Sequence, residues 1–478
     1  MLTDAPPVGT MKKIVSLVDR GAFDNIVYPQ DAMTTVFQPA FRPYHNFTQD
    51  VTVWPYAGAA EWGKRLTFTV PWPWQTDLLS WVALRIKPFH WLPAPAYNHL
   101  YVAQDWTYLS ATDEWLWAKS LGTVAIAKAE LEVDGVVVET WSGDWMDVWR
   151  RTSLTPNRGV GADDAMFGCG TRGAGPTEDG YVYCWLPFWF SRWSNTAFPL
   201  ISSTRPVRIH ITLRPFEDVV RRAGADKACG QTPLGTTFEV RNRGPTVPPN
   251  TILPEPVVVG DAVPTMEVAE LVCGTALIDG ELRKAYRDMP HEIMMNPVVE
   301  MAFSEPLKYV VGVPNGNIIN IGLPLTAANG PLRQLVWFLR RKAAVTNRAD
   351  WTNYSAVLEG EADPVFNPPR PLLRRAQLMV GTAVWADQEE AWWRSTGALP
   401  LAGGYRTSGA YVYAYNFTER PDSFEPAGSL NASRVDLRLN LEVEQPTGTN
   451  NEWEVVVFFV GTNWMRFENG LPNLLFMD

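Results

Sequence analysis

The chain has 478 residues, a net charge of −10 and many aromatic residues, with 22 Trp, 21 Phe and 15 Tyr. Since each buried aromatic side chain removes about 150–250 Å² from water, the chain has ample core material for two or three domains. The acidic balance, without a long run of Lys or Arg, argues against a surface for phosphate backbones, and we expect no direct nucleic-acid binding.

The first 216 residues predict an N-terminal arm followed by strands. Residues 1–20 have the apolar spacing of one short amphipathic helix, although a disordered tail fits them equally well. Residues 87–122 are loop-like and rich in aromatic side chains, which we expect to pack against a neighbour. The predicted strands before this loop are residues 34–37, 48–54, 65–72 and 78–86.

A β-hairpin is the strongest local signal in the chain. Residues 124–133 and 136–140 alternate around Asp134-Gly135, a pair typical of a type I′ turn. Trp145 and Trp149 follow it four residues apart, so they would share one face of a helix. The hairpin and this helix are therefore expected together.

Two further strands end the first half. Residues 181–190 are almost continuously apolar, the pattern of a strand buried on both faces, with Pro187 marking a bulge or an edge. Residues 207–214 alternate strictly, which predicts one core face and one polar face that contains His210.

Residues 217–263 predict a linker or surface excursion, because Pro, Gly and Arg are frequent there. The second half then supplies strands at 266–277, 291–303, 318–325, 334–341, 377–385, 411–417, 435–443 and 453–460, with a charged turn or short helix at 279–288. Roughly eight strands in each half predict an all-β fold of two consecutive eight-stranded jelly-roll β-sandwich domains, a double jelly roll. The domains would be a first jelly roll at 21–216 and a second at 264–478.

The two halves are not expected to be close copies in their packing. Fifteen Trp residues precede residue 217 and seven follow it. Large side chains must therefore fill the two sandwiches differently.

No residue pattern recommends catalysis or a cofactor. A G-x-G-x-x-G at 168–173 lies in a polar loop, not between a strand and a helix as a dinucleotide site requires. His291-Glu292 resembles the start of a zinc-protease motif, but Met295 stands where the second His is needed. Glu130 and Glu132 could be a glycosidase pair, yet carboxylates at alternate strand positions usually form a solvated face. We expect no metal, no cofactor and no enzymatic activity.

The cysteine count and the hydropathy pattern limit the cellular compartments in which we expect the protein. Four Cys residues in so long a chain, without a C-x-x-C spacing, predict reduced thiols. The first apolar run is too short for a signal peptide and no 18-residue apolar span occurs, so we expect neither that secretion route nor a membrane span.

Several segments, in order along nearly the whole chain, resemble the double jelly-roll major capsid proteins of nucleocytoplasmic large DNA viruses. The most distinctive is 426–436, Pro-Ala-Gly-Ser-Leu-Asn-Ala-Ser-Arg-Val-Asp, and the hairpin and Trp-containing helix at 129–149 are also similar. Pro43 and His45 depart from the family's usual residues. The remaining similar segments are 21–24, 35–37, 41–47, 186–190, 197–201, 277–284, 291–292 and 463–475.

The resemblance implies a structural role in a virion. Members of the family form homotrimers, pseudo-hexagonal capsomers that contact neighbouring capsomers and tile an icosahedral shell, with minor capsid proteins and an internal membrane layer beneath. Assembly would take place in the cytoplasm of the infected cell. Obligate interfaces of this kind are large and apolar at their centre, so we expect the loop aromatics to lie at subunit contacts. These suspected subunit-interface residues are Trp91, Trp106, Trp115 and Trp117.

Two other functions remain open from the sequence. One is a scaffold or minor capsid protein of the same fold. The other, from a different class, is a carbohydrate-binding or glycoside-cleaving β-sandwich, for which Trp72, Trp74, Trp392 and Trp393 could stack on sugars.

Overall fold

A computed structural model describes most of the chain after residue 44, and residues 47–478 form one compact unit. Of the other unit, residues 1–46, only residues 45 and 46 are described, so the predicted arm lies outside the described residues. The described residues are 45–70, 76–88, 106–109, 114–153, 181–192, 196–223, 237–242, 251–252, 257–258, 263, 265–303, 318–358, 367–395, 411–419, 427–444 and 452–475.

The elements of the first half are mostly strands with short helices between them. The strands are β1 (Phe47–Pro55), β2 (Arg65–Thr69), β3 (Leu78–Lys87), β4 (Trp106–Leu109), β5 (Glu114–Trp117), β6 (Ile126–Val133), β7 (Val136–Ser142), β8 (Val182–Leu186), β9 (Phe198–Pro199), β10 (Val207–Leu213), β11 (Val220–Ala223), β12 (Thr237–Asn242), β13 (Thr251–Ile252), β14 (Val257–Val258) and β15 (Val268–Ile278). The helices are α1 (Leu121–Val124), α2 (Gly143–Ser153), α3 (Trp189–Arg192) and α4 (Phe216–Val219), with a 3-10 turn at Leu200–Ser202.

The second half repeats this composition. Its strands are β16 (His291–Met295), β17 (Val298–Phe303), β18 (Ile318–Pro324), β19 (Pro331–Arg341), β20 (Leu373–Val380), β21 (Ala383–Glu389), β22 (Val412–Asn416), β23 (Leu430–Asn431), β24 (Leu437–Glu444), β25 (Trp453–Gly461), β26 (Asn463–Glu468) and β27 (Leu471–Leu474). The helices are α5 (Gly280–Asp288), α6 (Lys342–Arg348) and α7 (Glu390–Arg394), with a 3-10 turn at Ala432–Arg434.

Eight of the first fifteen strands form a sandwich of two antiparallel sheets, ordered β1-β15-β3-β8 and β2-β10-β6-β7. This is the strand order of a jelly roll. The predicted alternation of β10 is confirmed, because Val207, Ile209 and Ile211 are fully buried. The predicted hairpin is confirmed too: Asp134 and Gly135 have φ of 54° and 79°, as a type I′ turn requires.

The second sandwich has the same topology, with sheets ordered β17-β25-β19-β22 and β18-β24-β20-β21. The first strand and the last two strands of this half form a further small sheet, ordered β16-β26-β27. Each sandwich closes around buried aliphatic and aromatic side chains, and both belong to one continuous apolar core. The predicted double jelly roll is therefore confirmed.

The pairing of β15 corrects one boundary. The sequence placed this strand in the second jelly roll, whereas it hydrogen-bonds between β1 and β3, in the middle of a first-half sheet. Its alternating burial fits that position, with Leu271 and Cys273 buried in the first core. The excursion at 217–263 therefore lies between the last two strands of the first sandwich. As a division into domains, the four predicted ranges otherwise stay a prediction.

Strand pairing joins the two long connections of the first sandwich, which are the segment at 87–122 and the excursion at 217–263. β4 and β5 arise within the segment predicted to be loop, and they pair antiparallel with β12 and β11 of the excursion at 217–263. These short strands lack the long alternation that a sequence pattern needs, so hydrogen bonding between distant segments defines them.

Three predicted strands have different limits in the structure. The strand at 181–190 ends at Leu186, and helix α3 follows Pro187, which lacks the N–H that a central strand would need. The strand at 291–303 is two strands, β16 and β17, in different sheets. The strand at 377–385 contains a turn at Gly381, whose φ is 61°, so it belongs to a second hairpin.

Candidate functional site: the junction between the two sandwiches

The carboxylate pair Glu130 and Glu132 is bound on both sides by basic side chains. Arg65 and Lys128 lie 2.8 and 2.6 Å from Glu130, and Arg208 and His210 lie 2.7 and 2.9 Å from Glu132. The two side chains are only 13% and 14% exposed, so the expected solvated face is wrong at these positions.

These contacts keep both carboxyl groups ionised. Burial acts to raise the pKa of Glu130, but Lys128 and Arg65 outweigh it and the pKa is lowered. The hydrogen bond with His210 is the main reason why the pKa of Glu132 is also lowered. A glycosidase needs one carboxyl group that retains its proton, and neither of these is suited to that role.

The two histidines singled out by the sequence hold neighbouring elements together. His210 is buried and lies 2.9 Å from both Thr67 Oγ1 and Glu132 Oε2, on strands either side of its own. His291 stacks on Phe467, with ring centroids 5.1 Å apart, and lies 3.2 Å from Ser202 Oγ. Both side chains are thus used in packing and hydrogen bonding.

Within the described part of the chain, no three His, Cys, Asp or Glu side chains are grouped to hold a metal ion. Helices described by the structure are all too short or too polar to cross a membrane. Cys184 and Cys273 are buried free thiols, and burial raises the pKa of each. The G-x-G-x-x-G segment, Trp72 and Trp74 lie outside the described residues.

Three of the four suspected interface tryptophans lie on the paired strands β4 and β5 of the first half. Trp91 lies outside the described residues, while Trp106 is on β4 and Trp115 on β5. Trp117 is half-buried and packs on Trp62 and Phe216, with ring centroids 5.7 and 6.1 Å away. Their predicted position at subunit contacts stays a prediction.

The two sandwiches meet at a junction, where the first sandwich covers one face of the second. Helix α2 begins directly after β7 and is directed at the β17-β25-β19-β22 sheet. Its Trp145, 2% exposed, packs on Phe458 of β25 with ring centroids 5.2 Å apart. Trp149 is also buried, which confirms that the two tryptophans share the inward face of the helix. Apolar packing therefore joins the two sandwiches at their centre.

A buried ion cluster surrounds this packing. Arg340 of β19 donates to both carboxylate oxygens of Asp144, at 3.0 Å each, and to Glu454 at 2.6 Å. Arg214 of the first sandwich lies 3.4 Å above the ring of Trp351. Burial acts to raise the pKa of Asp144, but Arg340 and Arg214 outweigh it and hold that pKa below its usual value. The cluster thus binds ionised groups from both halves.

A second cluster is centred on Asp147, which is buried. Its carboxylate accepts hydrogen bonds from Arg150 at 2.8 Å, Arg151 at 2.6 Å and the Tyr354 hydroxyl of the second half at 2.7 Å. Burial opposes ionisation, but the two arginines outweigh it and lower the pKa of Asp147 to about 2. A charge in this position is stable only with all of these partners present.

The edge of the junction is formed by β7 and β17. Glu300 of β17 lies beside Ser142 of β7, and burial, with repulsion from Asp144, raises the pKa of Glu300. Arg192 spans the two halves, since it pairs with Glu139 and donates to the Asn296 carbonyl oxygen. Two sandwiches tied in this way form a single building block.

The sequence did not reveal these junction residues. Asp144, Asp147 and Arg340 are charged residues within otherwise apolar segments, and that is the signal that could have found them. A buried charge requires a partner, but a sequence does not show which distant segment supplies it.

Comparisons with known proteins agree with this architecture. A family model described as the major capsid protein N-terminus matches residues 35–236. The major capsid protein of Pyramimonas orientalis virus is 20% identical, covering 97% of this chain and 99% of its own length. That of Chrysochromulina ericina virus is 22% identical with the same coverage. A probable capsid protein of Acanthamoeba polyphaga mimivirus is 23% identical, over 44% of this chain and 39% of its own length.

Solved structures show the same fold. The structure of PBCV-1 VP54, fitted into a reconstruction of the virophage Sputnik, aligns with a TM-score of 0.67 at 16% identity, covering 93% of this chain and all of VP54. The Faustovirus major capsid protein aligns with a TM-score of 0.62 at 11% identity, covering 96% and 97%.

Two jelly rolls in tandem, fastened by a buried junction, define a double jelly-roll fold, and the two solved structures that share it are capsid proteins. The chain is similar to the major capsid proteins of large DNA viruses, in agreement with the resemblance found in its sequence motifs.

Proposed function

We propose that three copies of the chain form a homotrimer, a capsomer with six jelly rolls in a pseudo-hexagonal ring that tiles an icosahedral shell. The junction between the sandwiches carries this proposal, because it fixes the two jelly rolls of each chain as one rigid unit. A ring of six similar domains needs such a fixed pair as its repeating element.

The shell would be assembled in the cytoplasm of the infected cell, above minor capsid proteins and an internal membrane layer. The chain would act there as a structural component without enzymatic activity. The paired, ionised state of Glu130 and Glu132 supports this, because the strongest catalytic candidates are fully used as ion-pair partners.

The solution mass, measured by light scattering after size-exclusion chromatography, tests the proposal. One chain has a mass of 53.6 kDa, and we expect a species of three times that mass that persists on dilution. A monomer at all concentrations would contradict the homotrimer. High copy number of the chain in purified particles would distinguish a major capsid protein from a scaffold that is lost during assembly.

A further inference from the structure

The two sandwiches repeat the same register, residue by residue, at their first hairpin. In β6–β7, Val133 pairs with Val136 and the register shifts between Leu131 and Glu132. In β20–β21, Val380 pairs with Ala383 and the register shifts at the corresponding place, between Leu378 and Met379. Val137, Ser142 and Trp145 of the first sandwich therefore correspond to Val384, Glu389 and Trp392 of the second.

The sheets that face outward also correspond. In the pairing of β15 with β3, the register skips one residue of β3 beside Gly274. In the pairing of β25 with β19, the register skips one residue of β19 beside Val460 in the same way. Val51 lies opposite Gly274, and Val298 lies opposite Val460. Val51 and Val53 of β1 thus correspond to Val298 and Glu300 of β17, and Val272 corresponds to Phe458.

The equivalent positions differ sharply in exposure. Val298 is 3% exposed, because the first sandwich covers it, whereas Val51 is 57% exposed. Val53 is 41% exposed, while its counterpart Glu300 is covered by Ser142. The same face of the same sheet is therefore covered in the second sandwich and open in the first.

The covering element shows the converse difference. In the first sandwich, β7 and helix α2 lie on the neighbouring sandwich, and Trp145 is buried there. The corresponding β21 and helix α7 of the second sandwich leave Trp385 47% exposed and Trp392 half-buried, while Val384, at 50%, is about as exposed as its counterpart Val137, at 43%. Each chain thus carries a covering element, β21 and helix α7, on its second sandwich and an uncovered apolar face on its first.

We propose that β21 and helix α7 of one chain pack on the outer face of the first sandwich of a second copy, repeating between chains the junction found within each chain. Val384, Trp385 and Trp392 would lie against Val51, Val53 and Val272. This inference rests on the proposed homotrimer and assigns its subunit contact. The two surfaces differ, so the contact is head-to-tail, and such contacts generate closed rings when the rotation permits.

The chemistry of the open face suits a protein contact. Trp81 and Trp185 stack across it with ring centroids 5.3 Å apart. Gly274 makes room for this stack, because a Cβ atom there would lie 2.0 Å from Trp81 Nε1. Aromatic side chains at the centre of a contact face are typical of protein interfaces.

The buried ion cluster of the junction is absent from the corresponding positions. By register, Asp144, Arg340 and Glu454 correspond to Ala391, Lys87 and Val268. A contact formed between chains that have already folded would otherwise have to remove those charges from water. The two carboxylates are thus replaced by apolar residues, while Lys87 keeps its charge in a surface pair with Glu267, so that covering this face removes fewer charges from water.

Engineered disulfides test the contact in the full-length chain. Glu300 and Ser142 touch within the chain, so their counterparts Val53 and Glu389 should touch between chains. We expect the double variant Val53→Cys/Glu389→Cys to run as a covalent trimer on non-reducing gels after oxidation. The single variants, Val53→Cys or Glu389→Cys, should stay at the mass of one chain, because a head-to-tail contact never places two copies of one residue together. The wild type controls for its native cysteines.

The outcomes separate this contact from the homotrimer itself. A stable trimer in which the double variant forms no disulfide between chains would overturn the contact and leave the homotrimer standing. Covalent dimers of a single variant would overturn it as well, since they require a symmetric contact. A wild type that is always monomeric would overturn both proposals.

A charge placed in the face gives an independent measurement. Val51→Asp and Trp385→Asp should each raise the concentration at which the trimer dissociates by at least about tenfold, because each buries a charge at the contact. Met289→Asp is the matched control, since Met289 is 65% exposed and lies between α5 and β16, outside the strands and the helix of the proposed contact. Far-UV circular dichroism like that of the wild type would show that the variants fold. Dissociation unchanged in both face variants would contradict the proposal.

Discussion

The outer faces of the two corresponding sheets show how one backbone plan serves two kinds of contact. In the second sandwich, the face is occupied by Phe458 and Arg340 and is sealed by the first sandwich during folding. In the first, Val272 and Lys87 occupy the same register and stay at the surface. The register comes from strand alternation, turns and bulges, whereas the side chains decide whether a face is covered within the chain.

The largest expected difference in stability between the two faces is at their corresponding charged residues. Replacement of Arg340 by Ala leaves Asp144 and Glu454 buried without their main partner, and we expect a loss of about 3–5 kcal/mol in the free energy of unfolding. Lys87→Ala changes the corresponding residue, which pairs with Glu267 at the surface, and should cost no more than about 1 kcal/mol. Guanidinium denaturation followed by tryptophan fluorescence measures both. Equal losses would show that the two positions are not different environments.

The two corresponding tryptophans should separate folding from assembly. Trp145→Ala creates a cavity against Phe458 and should reduce the free energy of unfolding by about 3–5 kcal/mol. Trp392 is only half-buried and contacts Trp393, so Trp392→Ala should cost less than about 2 kcal/mol in the isolated chain. Size-exclusion chromatography should show the larger loss of trimer in Trp392→Ala. The reverse order would contradict the assignment of their contacts.

The acid stability of the junction depends on Asp147. Its pKa is about 2 when folded, below the usual value, so its contribution to stability is present above the unfolded pKa and is lost as the pH falls through about 2. The shift corresponds to about 2 kcal/mol. Asp147→Asn should therefore reduce the loss of stability between pH 4 and pH 2, measured by urea denaturation at each pH. Asp387→Asn, at a more exposed ion pair, is the control and should leave that loss nearly unchanged.

The smallest expected effect concerns the open face itself. Gly274→Ala would bring a methyl group against Trp81 and displace it from its stack with Trp185. We expect a cost of about 1–3 kcal/mol from overpacking, together with weaker trimers by size-exclusion chromatography. Gly280→Ala, where an added Cβ meets nothing within 4 Å, provides the control and should change neither quantity. An unaltered trimer in Gly274→Ala would indicate that the stack does not shape the contact.

Much of the fold could be predicted because it is encoded locally. The alternation of β10, the Asp134-Gly135 turn and the Trp145 and Trp149 face of helix α2 are each contained in a short segment. The second hairpin was missed because Val380-Gly381-Thr382-Ala383 is a weaker turn signal than Asp-Gly. The predicted location of β15 was wrong because a strand's own pattern does not identify its partners.

The junction could not be predicted for a related reason. Asp144 and Arg340 are separated by nearly two hundred residues, and neither segment alone shows that the other neutralises it. The side chains that meet at the junction can be identified only when both sandwiches are folded against each other. Glu130 and Glu132 show the same limit of sequence-based prediction. Their low solvent exposure results from pairing with arginines of neighbouring strands, which the sequence does not show.

The central position of β15 also bears on how the chain is made. Its first sandwich lacks the strand between β1 and β3 until residue 278 has been synthesised, more than fifty residues after β10. During that interval β1 and β3 expose unpaired edges on the ribosome, a condition that favours chaperone binding or aggregation. A nascent chain stalled before β15 leaves the exit tunnel should therefore be sensitive to protease, and one stalled well beyond it should be resistant in its first sandwich.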